Sequence, residues 1–137
     1  MKHAILAAAM LLSLGAGSCD SGTGPSLKVA LGEPFELRVG EAAAVDDERL
    51  TVAFAGVAND SRCPIDAICI VAGDASVRLR LRLLPHPESV VEIKTPESPR
   101  TRFDGYEIEV QRLLPAPRAA TPTDSKSYVA SLVVRRP

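Results

Sequence analysis

The stretch ASVRLRLRLL, residues 75–84, decides the fold class of this chain. Apolar and charged side chains alternate along it: the arginines lie on one face, and the other face carries Val77, Leu79, Leu81 and Leu83. Successive side chains of a β-strand point to opposite faces of the sheet, so a period of two is typical of a strand with one buried and one solvated face. The sequence therefore predicts a β-strand here, with its leucines in the core.

The same period of two recurs on both sides of this stretch, in PFELRV, RLTVAFAGV, SVVEIK, YEIEV and SYVASLVVR. In RLTVAFAGV the alternation changes at Gly56, where we expect a bulge. The residues predicted to point inward are Phe35, Leu37, Val39, Leu50, Val52, Phe54, Val57, Val91, Ile93, Tyr106, Ile108, Val110, Tyr128, Ala130, Leu132 and Val134.

Prolines separate these segments and leave no room for long helices; they are Pro96, Pro99, Pro115, Pro117 and Pro122. Alternating strands joined by proline-rich connections predict an all-β fold, an antiparallel sandwich or barrel of about seven short strands. The longest segment without a strand pattern is LLPAPRAATPTDSKS, residues 113–127.

The three arginines of the first stretch, Arg78, Arg80 and Arg82, allow two interpretations. They could form an anion-binding stripe. The interpretation that we favour places YEIEV on the neighbouring strand, so that Glu107 and Glu109 become cross-strand partners of the arginines. It predicts a sheet face of mixed charge.

Two cysteines lie six residues apart in DSRCPIDAICIVAGDA, residues 60–75. A short segment that turns back on itself can bring Cys63 and Cys69 within the ~4.4–6.8 Å between Cα atoms that a disulfide requires, so we predict a structural disulfide in this loop. A redox pair usually has the closer CxxC spacing. A metal site remains an alternative in which aspartates supply oxygen ligands, although their spacing is not that of an EF-hand; these are Asp60, Asp66 and Asp74.

The N-terminus has the anatomy of a secretory signal peptide. Lys2 supplies a positive charge, an uncharged and largely apolar run of 11 residues covers 4–14, and small residues follow. That run is too short to cross ~30 Å of hydrocarbon as a permanent helix, so we interpret residues 1–18 as a signal peptide rather than as a buried helix.

The stretch LGAGSC, residues 14–19, resembles the lipobox of bacterial lipoproteins, with Ala16 where leucine is usual. The resemblance implies cleavage before Cys19 and lipidation of Cys19, hence a membrane-anchored protein of the cell envelope. Export with cleavage but without a lipid is the alternative. The number of cysteines favours lipidation. If Cys19 carries the lipid, the two other cysteines can form a disulfide, and no free reactive thiol remains in an oxidising compartment.

Removing the first 18 of 137 residues leaves 119, enough for one domain. Residues 19–26 are interpreted as the lipidated N-terminus and a flexible tether, and residues 27–137 as a single β-domain. Without Lys2 the chain carries 15 Lys and Arg against 17 Asp and Glu, so no basic field for nucleic acid is expected.

The residues that usually carry catalysis are scarce after residue 18. Both methionines and His3 precede that point, the chain has no tryptophan, and His86 lies between two prolines. A serine triad, a blue-copper site or a catalytic zinc site needs more histidines or other ligands than this, so we predict no catalytic residues, no metal and no cofactor.

DSRCPIDAICIVAGDASVRL, residues 60–79, is similar to a segment of a family of uncharacterised bacterial secreted proteins and lipoproteins. The shared features are DSRCP, a second cysteine six residues on, and AG-x-A before a strand. The family often has an aromatic residue where this chain has Val71. The resemblance implies a small β-domain with a bridged loop and implies no activity.

Two functional hypotheses follow. The first is a non-enzymatic, lipid-anchored envelope module that binds another envelope protein, a peptide or a surface polymer through its loops, or serves as a structural spacer. The polar candidates for contact are Asp60, Arg62, Asp66 and Asp74, and the apolar ones are Ile65, Ile68, Ile70 and Val71; for the apolar set we favour burial in the core. The second is an envelope hydrolase that uses Asp60, Asp66 and Asp74 as acid, base or metal ligands.

Overall fold

The computed structural model describes residues 24–137, and all helical or strand structure in this range is β-strand. Nine strands follow one another along the chain. They are β1 (Leu27–Val29), β2 (Pro34–Arg38), β3 (Ala42–Val45), β4 (Leu50–Asp60), β5 (Ala75–Leu83), β6 (Ser89–Thr95), β7 (Arg100–Phe103), β8 (Tyr106–Leu114) and β9 (Val129–Arg135).

The strands form two sheets, one in the order β1-β3-β4-β5-β6 and the other in the order β2-β9-β8-β7. All pairs are antiparallel except β1 and β3, which run parallel. Side chains from both sheets share one hydrophobic core, in which Phe54 and Leu79 of the first sheet and Ile108 and Leu132 of the second are fully buried. The all-β prediction is confirmed, and the architecture is a sandwich.

Alternation predicted the core correctly. Every residue predicted to point inward is either in the core cluster or packs against it as a partly buried side chain, as Val39, Leu83 and Val91 do. The bulge predicted at Gly56 is also present: the register between β4 and β5 shifts between Phe54 and Gly56, and the φ of Gly56 is 134°. Glycine adopts this positive φ without the steric penalty that a side chain would add.

The predicted number of strands was too low, because residues 24–137 contain nine strands and the prediction was about seven. The strands without a sequence prediction are β1, β3 and β7, each of three or four residues. In β3 the sequence AAAV does not alternate, since three consecutive residues of that strand are buried. Such short segments contain too few residues for a period of two to be recognised.

The predicted partners of the arginine face were wrong. YEIEV belongs to β8, which lies in the other sheet, whereas β5 is flanked by β4 and β6. Arg78 is paired with Glu92 of β6, and Glu109 of β8 is paired with Arg135 and Arg100 of its own sheet. Alternation determines which face a side chain occupies but does not determine which strand is the neighbour, and here the hairpin partner β6 supplies the acidic side chain.

The two ends of the sandwich differ in the segments that they carry. At one end, called here the bridged end, β4 finishes at Asp60, β5 begins at Ala75, β8 finishes at Leu114 and β9 begins at Val129. The opposite end carries the turn at residues 46–49, the β5–β6 turn at 84–88 and the β7–β8 turn at 104–105. Loops held on such a scaffold are the usual place for binding residues.

Several predictions concern the N-terminus. The signal peptide at 1–18, Cys19 and most of the tether lie outside the described residues. At the start of the described range, the backbone N–H of Ser26 donates to the carbonyl of Ala42 at 3.0 Å, just before β1. Within residues 24–137 no helix is long and apolar enough to span a bilayer.

Candidate functional site

The candidate site is the loop of residues 61–74 that joins β4 to β5 at the bridged end. Its two ends are held together by Ser61 and Asp74: the N–H of Ser61 donates to the Asp74 carbonyl at 2.7 Å, the Ser61 hydroxyl donates to the same carbonyl at 2.9 Å, and the N–H of Asp74 donates to the Ser61 hydroxyl oxygen at 3.2 Å. Gly73 is required here, because a Cβ at that position would overlap the carbonyl oxygen of Ser61.

A mostly buried ion pair fixes the base of the loop. Arg62 donates through Nε to Oδ1 of Asp60 at 2.8 Å and through Nη2 to Oδ2 at 2.7 Å, which is the bidentate arrangement that makes arginine–carboxylate pairs strong. The side chains of Arg62 and Asp60 are 16% and 10% exposed. A charge pair so far removed from water is stable only if its remaining donors and acceptors are also satisfied.

The remaining groups of this pair are satisfied by the second sheet. Arg62 donates through Nη1 to the Leu113 carbonyl at 2.7 Å and through Nη2 to the Pro115 carbonyl at 2.8 Å, both at the end of β8. The hydroxyl of Tyr128, just before β9, donates to Oδ2 of Asp60 at 2.9 Å. The pair therefore ties the end of β4 in one sheet to the ends of β8 and β9 in the other.

These contacts shift the pKa values of the two acidic groups. Burial by itself would raise the pKa of the Asp60 carboxyl, but hydrogen bonds from Arg62 and Tyr128, together with the charge of Arg62, outweigh it, so this pKa lies below its ordinary value. Burial and the hydrogen bond to Asp60 raise the pKa of the Tyr128 phenol. Asp60 is held as a carboxylate and Tyr128 as a neutral donor.

The loop also packs against the irregular segment of residues 115–128. The N–H of Ile65 donates to the Pro117 carbonyl at 3.0 Å, and the N–H of Ala119 donates to Oδ1 of Asp66 at 2.9 Å. Between these contacts and the β5 strand, Cys63 and Cys69 form a disulfide with Cα atoms 5.9 Å apart. The predicted disulfide is present, and the loop is held at its base, along one side and across its middle.

The far part of the loop is apolar and exposed. Residues 67–72 are all exposed, and the side chains with the largest exposed fractions are Ile68 (103%), Ile70 (103%), Val71 (79%) and Ile65 (61%). We call residues 65–72 the apolar tip. The expectation that these four side chains pack in the core was wrong, because the sandwich core is complete without them and the disulfide holds the loop outside it.

The three aspartates proposed as acid, base or metal ligands have separate environments. Asp60 is engaged by Arg62 and Tyr128, whereas an oxygen of Asp66 accepts from the N–H of Ala119 and the backbone of Asp74 closes the loop on Ser61. Over residues 24–137, no group of three or more histidine, cysteine, aspartate or glutamate side chains is placed to hold a metal ion. His86 is exposed in the β5–β6 turn at the opposite end.

A second cluster of the same three residue types lies at the opposite end. The Tyr106 hydroxyl donates to Oδ2 of Asp46 at 2.7 Å, Arg136 donates to the Tyr106 oxygen at 2.9 Å, and the Arg136 guanidinium lies 2.9 Å from Asp46 and 4.9 Å from the centre of the Tyr106 ring. Asp46 also begins a run of three residues with positive φ. Sequence reasoning missed both clusters, although a buried tyrosine hydroxyl usually requires a polar partner and could have indicated them.

Arg62→Ala is expected to lower the free energy of unfolding by roughly 3 kcal/mol, because it leaves the mostly buried carboxylate of Asp60 without its counter-charge. The matched control is Arg78→Ala, which removes an ion pair whose side chains are 54% and 44% exposed and is expected to cost about 0–1 kcal/mol. Urea denaturation followed by circular dichroism measures both. Equal losses in the two variants would contradict the role assigned to Arg62.

The lowered pKa of Asp60 predicts a specific loss of stability in acid. A carboxyl whose pKa is lower in the folded than in the unfolded chain stabilises the fold above its unfolded pKa of about 3.9, and this contribution is lost as the pH falls through the folded pKa. Asp60→Asn is therefore expected to lose less unfolding free energy than the parent between pH 7 and pH 3. Glu36 and Glu109, whose pKa values are also lowered, contribute equally to both proteins. Parallel pH profiles would refute this assignment.

Comparison with protein-family models, with curated proteins and with solved structures found no match. The features of this chain that bear on its function are the geometry of the bridged loop and the sequence that precedes the domain.

Proposed function

We propose that this chain is an exported, lipid-anchored protein of the bacterial cell envelope, and that its β-domain is a non-enzymatic binding module. The apolar tip is its binding surface. The proposal combines the signal peptide and lipobox resemblance of residues 1–19 with the shape of the bridged loop.

The observation that carries the binding role is the exposure of the apolar tip. Ile68 and Ile70 are fully exposed and Val71 is 79% exposed on one short loop, whereas the exposed aliphatic side chains outside this loop, such as Leu84 and Val90, come from separate strands and turns. Large contiguous apolar patches on a folded domain mark contact surfaces, because leaving such side chains in water costs free energy.

The construction of the loop supports the same role. The disulfide, the Ser61–Asp74 contacts and the Arg62 bonds restrict the backbone from which the tip projects. A surface that is already ordered loses less conformational entropy when it binds, so more of the contact free energy remains as affinity. A loop that only joins two strands does not need three separate constraints on its backbone, so their presence favours a loop whose shape matters for binding.

The cysteines support the proposed location. Cys63 and Cys69 are joined, and of the three cysteines in the chain this leaves Cys19 for the lipid. Disulfides persist in oxidising compartments such as the periplasm and are rare in the cytosol. Acyl chains on Cys19, each methylene contributing ~0.8 kcal/mol of burial, would hold the protein on a membrane without a transmembrane helix.

Intact mass spectrometry of protein purified from bacterial membranes tests the anchor and the disulfide together. We expect a mass that begins at Cys19 with acyl chains attached, and two alkylatable cysteines that appear only after reduction. Cys19→Ser is the control, since it removes the acylation site and should abolish membrane retention. An unacylated chain, or two cysteines that react without reduction, would contradict the proposal.

Photocrosslinking in intact bacteria tests the binding role. A photoreactive amino acid at position 68 is expected to form adducts on irradiation, whereas the same residue at position 84 is not, because Leu84 is exposed to 72% but lies at the opposite end. Both sites tolerate a bulky side chain because both project into solvent. If position 68 reacts no more than position 84, the tip is not covered in the envelope and the binding role is wrong.

A further inference from the structure

We infer that the surface bound by the apolar tip is the lipid bilayer that holds the anchor. This inference rests on the proposed lipidation of Cys19 and names the occupant of the proposed binding surface. Three features carry it: the direction in which the chain enters β1, the small number of residues between Cys19 and the sandwich, and the different chemistry of the two ends.

The chain approaches β1 from the bridged end. β1 runs parallel to β3, and β3 runs antiparallel to β4, which finishes at the bridged end with Asp60. Followed backwards from Leu27, the chain therefore continues toward the bridged end. The bond from the Ser26 N–H to the Ala42 carbonyl keeps it beside β3, and Gly24 lines the same shallow cavity as Ala53 and Arg80.

The distance that remains is short. Five residue steps separate Gly24 from Cys19, a reach of at most about 17 Å for a fully extended chain. Five steps along β5, from Arg80 to Ala75 at the bridged end, also cover about 17 Å. Cys19 can therefore reach the level of the bridged end, and a tether of this length keeps the domain against the bilayer.

Chain length alone does not select the end that faces the lipid, because five extended residues are also long enough to lead to the opposite end; the side chains of the two ends make that choice. The opposite end is predominantly acidic and would be repelled by the anionic head groups of a bacterial membrane. Its exposed and half-buried charged residues are Asp46, Asp47, Glu48, Arg49, Glu88, Asp104 and Arg136. The bridged end instead projects AICIVAG, residues 67–73, a run of seven residues without a charge.

The tip has the chemistry of a shallow membrane contact. Its most exposed side chains are aliphatic. The one charged residue of the tip is Asp66, whose carboxylate accepts a hydrogen bond from the Ala119 N–H at the side of the loop. Protein interfaces usually concentrate their binding energy in tryptophan, tyrosine and arginine, none of which occurs in the tip. Aliphatic side chains partition into the boundary between head groups and acyl chains, which demands no complementary shape.

The charges around the tip indicate what drives the contact. Outside the Asp60–Arg62 pair, the exposed and half-buried charges of the bridged end are mixed: Lys94, Arg118 and Lys126 are opposed by Asp66, Asp74, Glu97 and Asp124. Such a rim provides no net attraction to anionic lipid, so insertion of the apolar side chains must supply the affinity. The contact should therefore form on uncharged lipid and persist at high salt, where surface electrostatics are screened.

Tryptophan fluorescence tests this contact cleanly, because the chain has no tryptophan of its own. Ile68→Trp and its matched control Leu84→Trp replace exposed aliphatic side chains at the two ends. Each full-length, acylated variant is reconstituted into phosphatidylcholine vesicles that contain lipids brominated on their acyl chains. Equal denaturation midpoints for the two variants establish that both are folded.

We expect the emission of Ile68→Trp to move to shorter wavelength and to be quenched roughly twofold or more by the brominated lipid, since an interfacial contact places a side chain ~5–10 Å into the head-group and acyl boundary. Leu84→Trp should keep the emission of water-exposed tryptophan. Adding 0.5 M salt shortens the Debye length to roughly half its physiological value of ~8 Å and so weakens surface electrostatics. The quenching should nevertheless persist.

Failure of the inference is distinguishable from failure of the proposed function. Equal, unquenched emission from both variants of an acylated protein would overturn the membrane contact while leaving the anchor intact. Crosslinks from position 68 to a protein and not to lipid would overturn it in favour of a protein partner. A mass without acyl chains would instead overturn the proposed anchor, and with it the premise of this inference.

Discussion

The ion pair between Arg62 and Asp60 is the interaction on which the bridged end of this domain depends. The Arg62 guanidinium donates hydrogen bonds to the Asp60 carboxylate at the end of β4 and to two carbonyl groups at the end of β8. The hydroxyl of Tyr128, just before β9, donates a further hydrogen bond to the same carboxylate. Because both charges are largely removed from water, any change that left one of them without a partner would cost more than an ordinary surface contact. The loop therefore has one position relative to both sheets, and the apolar tip projects from a fixed base.

The opposite end of the sandwich uses the same three residue types in a similar way. The only two tyrosines of the chain, Tyr106 and Tyr128, each place a hydroxyl on an aspartate that is paired with an arginine. This repetition assigns Asp60 to the joining of the two sheets, a task that a carboxylate performs by remaining charged. The largest exposed side chains of the apolar tip are aliphatic, and apolar side chains clustered on a surface are typical of a contact site.

The disulfide, Gly73 and the proline-rich segment 115–128 have a common effect. Gly73 allows the backbone to pass the Ser61 carbonyl, the disulfide closes the middle of the loop, and Pro117 and Ala119 hold one side of it. Each constraint reduces the freedom of a loop that would otherwise collapse its isoleucines onto the nearest apolar surface of the domain itself. Exposure of Ile68 and Ile70 is therefore a consequence of the fold that holds them.

Local sequence patterns predicted the β-strands with a clear alternation, the inward faces of Leu79, Ile108 and Leu132, the bulge at Gly56 and the pairing of the two cysteines that follow Cys19. These follow from the local period of a strand and from the short spacing along the chain. Tertiary structure alone decided that Glu92 faces Arg78, that Arg62 spans two sheets, and that the isoleucines of the loop lie outside the core. Those features depend on which segments become neighbours across long separations, and the local pattern of a sequence contains no record of its distant partners.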